Sequence, residues 1–174
     1  MSSQSESVES PVGQRIYDVS KLRQAIALEP DCWRPLVLTN GCFDLLHAGH
    51  VRYLTVARTL GRSLVVGLNS DSSVRQIKPP VSGQPPRPIV PEVYRAEVLA
   101  ALRPVDAVVV FEESTAIALI QALRPDIYVK GGDYHMDMLP EVPAVTAYGG
   151  KVCLVPLEIS LSTTHIVRRI LQKA

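Results

Sequence analysis

Residues 36–69 read LVLTNGCFDLLHAGHVRYLTVARTLGRSLVVGLN, and the order of patterns inside them decides the fold. Leu36-Val37-Leu38-Thr39 is an apolar run of strand length. Val51, Leu54 and Ala57 with Arg58 then recur at helical spacing, and Leu64-Val65-Val66-Gly67-Leu68 is a second apolar run. Both runs are apolar throughout rather than alternating, as parallel strands covered on both faces must be. Working outward, three more such runs follow at residues 107–111, 127–129 and 152–155. Helical patterns separate them: Val98, Leu99 and Leu102 after Pro91; Ile117, Ile120 and Leu123 after Ser114 or Thr115 as a cap; and Ile166, Ile170 and Leu171. A narrower stripe of Leu22, Ala25 and Ile26 predicts a weak helix over 20–28. This rhythm predicts a single α/β domain, a Rossmann-like doubly wound parallel sheet of five strands with right-handed crossovers.

The chain has 174 residues, enough for one domain with its own core. Residues 1–15 are rich in Ser, Glu and Gln and read as a disordered tail, leaving 16–174 as the domain. Eighteen Lys and Arg against seventeen Asp and Glu give a net charge of +1, which argues against a general electrostatic grip on nucleic acid or an anionic membrane. Three cysteines with no CxxC pair fit small buried thiols in a reducing cytosol. No apolar run approaches the ~18 residues of a membrane span, and the polar amino terminus lacks the pattern of a secretory signal. A cytoplasmic protein is expected. Residues 78–91, KPPVSGQPPRPIVP, hold six prolines and predict a loop beside the site.

In open α/β sheets ligands gather at the carboxyl ends of the strands. Each polar cluster of this chain falls there: Asn40 to His50, Asn69-Ser70-Asp71, Lys130-Gly131-Gly132-Asp133-Tyr134, and Ser162-Thr163-Thr164 at the start of the last helix. His47 and His50, three apart at a helix start, can point the same way, and Gly49 between them removes a side chain where a phosphate could approach. Two imidazoles beside free amides suit the charge of a phosphoryl-transfer transition state. The pair alone equally suits a metal site, with Asp44 as third ligand, or an ordinary surface; the glycine favours phosphate. Ser162, Thr163 and Thr164 exceed what one helix cap needs. Lys130 to Asp133 is either a flexible turn or a backbone lying against a base, and Asp71 either caps a short helix or faces the site. Arg95 shares a helical face with Val98, Leu99 and Leu102, and so either snorkels or reaches an anion. Lys78 and Arg87 in the proline-rich loop either face solvent or close over phosphates. Phosphate-loop, GxGxxG, GxSxG and HExxH motifs are absent from the sequence.

With these residues in view, the sequence resembles the HxGH nucleotidyltransferase superfamily. Residues 41–50, GCFDLLHAGH, look like its first signature and residues 161–164, LSTT, like its late one. Thr39-Asn40-Gly41, Asn69-Ser70-Asp71, residues 129–134 and Ser162-Thr163-Thr164 are most similar to the branch of D-glycero-β-D-manno-heptose 1-phosphate adenylyltransferases, whose activity also occurs fused to a sugar kinase. The sequence departs from that branch at Cys42, at Val90 and in a longer 78–87 loop.

The resemblance implies that ATP and a heptose 1-phosphate give ADP-heptose and pyrophosphate, with Mg²⁺ accompanying the triphosphate and no metal-ligating residue on the protein. His47 and His50 would stabilise the transition state, with Lys78 and Arg95 on phosphates. Asn40, Gly41, Phe43, Gly49, Lys130, Gly131, Gly132 and Asp133 would line the nucleotide site, and Ser162, Thr163 and Thr164 would hold the β- and γ-phosphates. Asp44, Asn69, Asp71 and Arg87 would serve the acceptor. A separate sugar kinase is implied, a homodimer is allowed, and neither nucleic acid nor membrane is an expected partner. A cytidylyltransferase for glycerol 3-phosphate or phosphoethanolamine carries the same two signatures, and a non-catalytic nucleotide-binding module is a third reading.

Overall fold

The computed structural model describes residues 13–132, 135–156 and 162–172. Six parallel strands, β1 (Ile16–Tyr17), β2 (Leu36–Gly41), β3 (Ser63–Asn69), β4 (Ala107–Phe111), β5 (Ile127–Gly131) and β6 (Lys151–Val155), lie in the order β1-β4-β3-β2-β5-β6. The helices are α1 (Val19–Leu28), α2 (Pro30–Trp33), α3 (Ala48–Arg58), α4 (Asp71–Ile77), α5 (Glu92–Ala100), α6 (Ile117–Leu123), α7 (Val142–Thr146) and α8 (Thr163–Leu171).

Every residue of β3 is buried, and β2 is buried from Leu36 to Thr39, because alternate side chains enter two separate cores. Val37, Leu64, Val66 and Val108 meet Leu54, Ala57 and Leu99 of α3 and α5 on one face. Leu36, Leu38, Val65 and Val109 meet Leu22, Leu119, Ile120 and Val145 of α1, α6 and α7 on the other. Chain connections from β2 and from β4 therefore leave to opposite faces, and a crevice opens above the carboxyl ends of β2 and β5.

The sheet has six strands where five were expected. The sixth is a two-residue edge strand, Ile16 with Val108 and Tyr17 with Val109, too short to carry a periodic signal. Residues 13–15, assigned to the tail, form a 3-10 turn before it, held by Arg15 donating to the Val105 carbonyl at 3.1 Å. The tail from 1 to 12 lies outside the described residues. Three finer readings also change. Val98 is half exposed while Leu99 is buried, so the core face of α5 runs through Arg95, Ala96 and Leu99. Ser70, rather than Asp71, caps α4, accepting from the Ser73 amide at 3.1 Å. Ala116 precedes α6 with no side-chain cap of its own; the Glu141 carboxylate lies 3.5 Å from its amide instead, so Ser114 and Thr115 are not needed there.

Candidate active site

The crevice is a cavity of about 560 Å³ whose wall includes Asn40, Gly41, Cys42, Phe43, Asp44, His47, Gly49, His50, Asn69, Lys78, Arg87, Lys130, Gly131, Ser162, Thr163 and Thr164. Five segments remote in sequence, at 40–50, 69, 78–87, 130–131 and 162–164, thus converge on one space. Gly132 follows β5 at φ 132°, a conformation that favours glycine, with its amide donating to the Val155 carbonyl. Asp133 and Tyr134 lie outside the described residues.

His47 is the residue before α3 and leaves the helix amino terminus without a side-chain cap. Its ring stacks on that of His50 at 3.9 Å between centroids, and His50 also packs against Phe43 at 5.3 Å. The Nδ1 atoms of both histidines are buried and lack a hydrogen-bond partner among the described residues. Phe43 is itself buried and holds φ 43°, an uncommon position for a bulky side chain that the Gly41–His47 turn imposes. Burial, and then the neighbouring His47, push the His50 imidazole down from 6.5 to about 4, and burial lowers His47 as well. Both rings are therefore neutral at pH 7.

A stability consequence follows from that sign. Between pH 4 and 6.5 the unfolded chain holds a proton on His50 that the folded chain refuses, so stability rises with pH through this window and falls on acidification. The urea midpoint is expected to be lower at pH 5 than at pH 7, with a shallower dependence in His50→Gln. Equal pH slopes in the two proteins would contradict a neutral, half-buried His50.

Opposite the histidines, Ser162 caps α8, accepting from the His165 amide at 3.1 Å, while Thr163 and Thr164 in its first turn line the cavity. The Ser162 hydroxyl serves the cap and that of Thr163 donates to the Leu45 carbonyl at 3.4 Å. Asn40 Oδ1 accepts from Tyr128 Oη at 2.6 Å and from Lys130 Nζ at 2.7 Å, and burial lowers the Lys130 amine. Asn69 is buried and donates to Ser73 Oγ at 2.9 Å.

The proline-rich loop is tied down at its carboxyl end. Asp44, fully buried as a side chain, accepts from the Ile89 amide at 2.8 Å, the Val90 amide at 2.9 Å and the Arg87 guanidinium. Asp44 and Arg87 thereby fasten the loop to the cavity wall. Lys78 has no such tie and is exposed on the cavity wall.

Arg95 and Asp71 are placed differently from the expectation. Neither lines the cavity. Arg95 is 1% exposed and donates to the carbonyls of Val90 at 2.8 Å, Cys42 at 2.5 Å and Asn69 at 2.9 Å, and to Asp71 Oδ1 at 2.7 Å. Its apolar helical face buries it, and the three loops it joins consume its donors. The pair ties together the loops that carry Cys42, Asn69 and Val90.

Residues 38–169 match the cytidylyltransferase-like family. The chain belongs to that family. Two relatives are named bifunctional protein HldE: that of Syntrophotalea carbinolica, 50% identical over 152 residues (87% of this chain and 30% of the relative), and that of Magnetococcus marinus, 54% identical over 156 residues (90% and 31%). The chain thus spans about three-tenths of the length of these relatives. A lipopolysaccharide core biosynthesis protein from Thermoplasma volcanium GSS1 has a similar structure, with TM-score 0.55 and 28% identity, covering 70% of this chain and 94% of that one.

Within this cytidylyltransferase-like domain the cavity is also lined by Tyr53 and Glu141, which no pattern in the sequence marks, and by Ser114, expected only as a helix cap. Tyr53 explains one of the glycines: its hydroxyl pairs with Thr39 Oγ1 at 2.6 Å and donates to the Val129 carbonyl at 3.0 Å. The ring then lies where a Cβ on Gly131 would meet it at 2.7 Å. Glu141 is 4% exposed with its Oε2 unpaired among the described residues. It had no signal, since a lone Glu in a loop carries no periodicity.

Proposed function

We propose that this protein is a nucleotidyltransferase that transfers AMP from ATP to a heptose 1-phosphate, giving an ADP-sugar and pyrophosphate. The observation that carries the reading is the stacked His47–His50 pair at the open amino terminus of α3, which shares one cavity with Thr163 and Thr164 of α8. Two helix amino termini directed at one space favour a polyanion between them. The family match and the HldE-named relatives support the same reading.

In this mechanism the acceptor phosphate oxygen attacks the α-phosphorus in line, forming the new P–O bond as the bond to pyrophosphate breaks. His47 and His50 enter as neutral donors and gain affinity for protons as the polyanion arrives. Their hydrogen bonds strengthen as charge grows on the transferring phosphoryl group. Thr163, Thr164 and the α8 amino terminus hold the β- and γ-phosphates, and Lys78 swings in from its exposed position. Gly131 and Gly132 let the backbone lie against the nucleoside, with Asn40 orienting Lys130. Among the described residues no group of three His, Cys, Asp or Glu side chains could hold a metal ion. Mg²⁺ would accompany the triphosphate as its counter-ion, where it would neutralise phosphate charge. The described residues contain no helix long and apolar enough to cross a membrane. We place the enzyme in the cytoplasm, supplied with sugar 1-phosphate by a kinase reaction.

The nucleotide is the point to test. ATP is expected to outcompete CTP when pyrophosphate release is measured with heptose 1-phosphate and an equimolar nucleotide mixture. Equal or faster consumption of CTP would move the protein to the cytidylyl reading. Tight nucleotide binding with no pyrophosphate release from any acceptor would leave a binding module.

A further inference from the structure

A second cavity of about 590 Å³ lies at the opposite end of the sheet, beside the residues that begin β5 and β6. Arg34, Pro35, Arg124, Pro125, Asp126, Ile127 and Lys151 line it, together with the Tyr148-Gly149-Gly150 turn. The five residues of β5 separate it from the active-site crevice by about 15 Å.

Its charge is unbalanced. Asp126 is engaged by Arg34 at 2.8 Å and by the Leu36 amide at 2.6 Å, which spends one cation and the one carboxylate. Arg124 and Lys151 have no carboxylate partner among the described residues. Arg124 also stands at φ 46°, ψ 63° where α6 ends, a left-handed position that glycine or asparagine would fill with less strain. An arginine there places its guanidinium over the Tyr148 ring, 5.2 Å from the centroid. Tyr148 ends in a buried hydroxyl with no partner among the described residues, and burial pushes that phenol up to about 12, so it remains a donor at neutral pH. The wall further demands glycine: a Cβ on Gly150 would meet Tyr148 Cε2 at 2.8 Å and the Pro125 carbonyl at 3.0 Å.

A strained arginine, an unpaired lysine, an orphaned hydroxyl donor and an apolar flank of Pro35, Pro125 and Ile127 are superfluous to a site at the other end of the sheet. We infer that this cavity is a second small-molecule site, for a phosphate ester carrying a small apolar or planar group. The phosphate would meet the Arg124 fork and the Lys151 ammonium, with the Tyr148 hydroxyl turning toward it, and the organic part would lie along the prolines. The site is independent of the chemistry proposed for the crevice.

The test is titration of the full ¹⁵N-labelled chain with phenyl phosphate and with inorganic phosphate, following backbone amides. Saturable shifts are expected at Gly149, Gly150 and Lys151, with phenyl phosphate binding more tightly than phosphate. Arg124→Gln is expected to weaken binding by about tenfold, the loss when a hydrogen bond involving a charged group is removed. Tyr148→Phe is expected to weaken it less. Lys151→Gln, on an exposed strand end, gives the same comparison should Arg124→Gln disturb α6. Shifts confined to amides of α3 and α8, or equal affinities in wild type and the Lys151 variant, would overturn the site. Equal affinity for the two probes would overturn its assignment to an ester.

Discussion

His50→Ala is expected to lower kcat by about 10²–10³ while leaving ATP affinity within a few-fold of wild type, since removing one preorganised donor to developing charge typically costs about 3–4 kcal/mol of transition-state stabilisation. The ring is held from two sides, by stacking on His47 and by Phe43, and its Nδ1 has no competing partner among the described residues. A donor prepared in this way contributes most to the state whose charge is greatest. His47→Ala is expected to lose turnover similarly and also to weaken ATP binding, because it stands just before the helix where ground-state phosphates would sit. Melting temperature on the same preparations separates catalysis from folding. Turnover in His50→Ala within about threefold of wild type, far short of the loss for such a donor, would remove it from the mechanism.

Arg95→Ala carries the largest expected effect on stability. Removing one member of a buried, hydrogen-bonded ion pair costs about 3–5 kcal/mol, against a total of roughly 5–15 kcal/mol for a domain. Here the guanidinium joins three loops, through Cys42, Asn69 with Asp71, and Val90. Arg95→Lys is not expected to rescue it, since one ammonium cannot span donors that leave the guanidinium in three directions. The denaturation midpoint should therefore fall sharply in both variants. In whatever fraction remains folded, the acceptor KM should rise more than the ATP Kd, because the loop ending at Val90 loses its second tie after Asp44. An unfolding free energy within about 1 kcal/mol of wild type, well short of that expected loss, would show the network to be ornamental.

The sheet was legible from residues 36–69 because uninterrupted apolar runs have few alternatives to covered parallel strands, and the two-core burial of β2 and β3 follows from that pattern. The edge strand was not, since two residues sealed by one side of a neighbour leave no periodicity. In the site, His47, His50 and the Ser162-Thr163-Thr164 turn could be singled out because spacing at helix starts is a local property. Arg95 could be placed on an apolar face, but its partners other than Val90 come from 24 to 53 residues away, and sequence spacing does not report which carbonyls meet a guanidinium. The same limit concealed the partners of Asp44, a residue the sequence does single out, whose carboxylate clamps amides 45 and 46 residues further on. Tyr53 and Glu141 were invisible for a related reason: each acts through neighbours brought by the fold alone.

The most direct measurement is pyrophosphate release from ATP and Mg²⁺ by the purified chain, with and without heptose 1-phosphate, followed by ³¹P spectra of the products. The proposed reaction predicts release that depends on the acceptor, matched one for one by a new sugar–nucleotide diphosphate signal. Release without acceptor, or acceptor-dependent release with no diphosphate product, would contradict direct transfer from the α-phosphorus to the sugar phosphate.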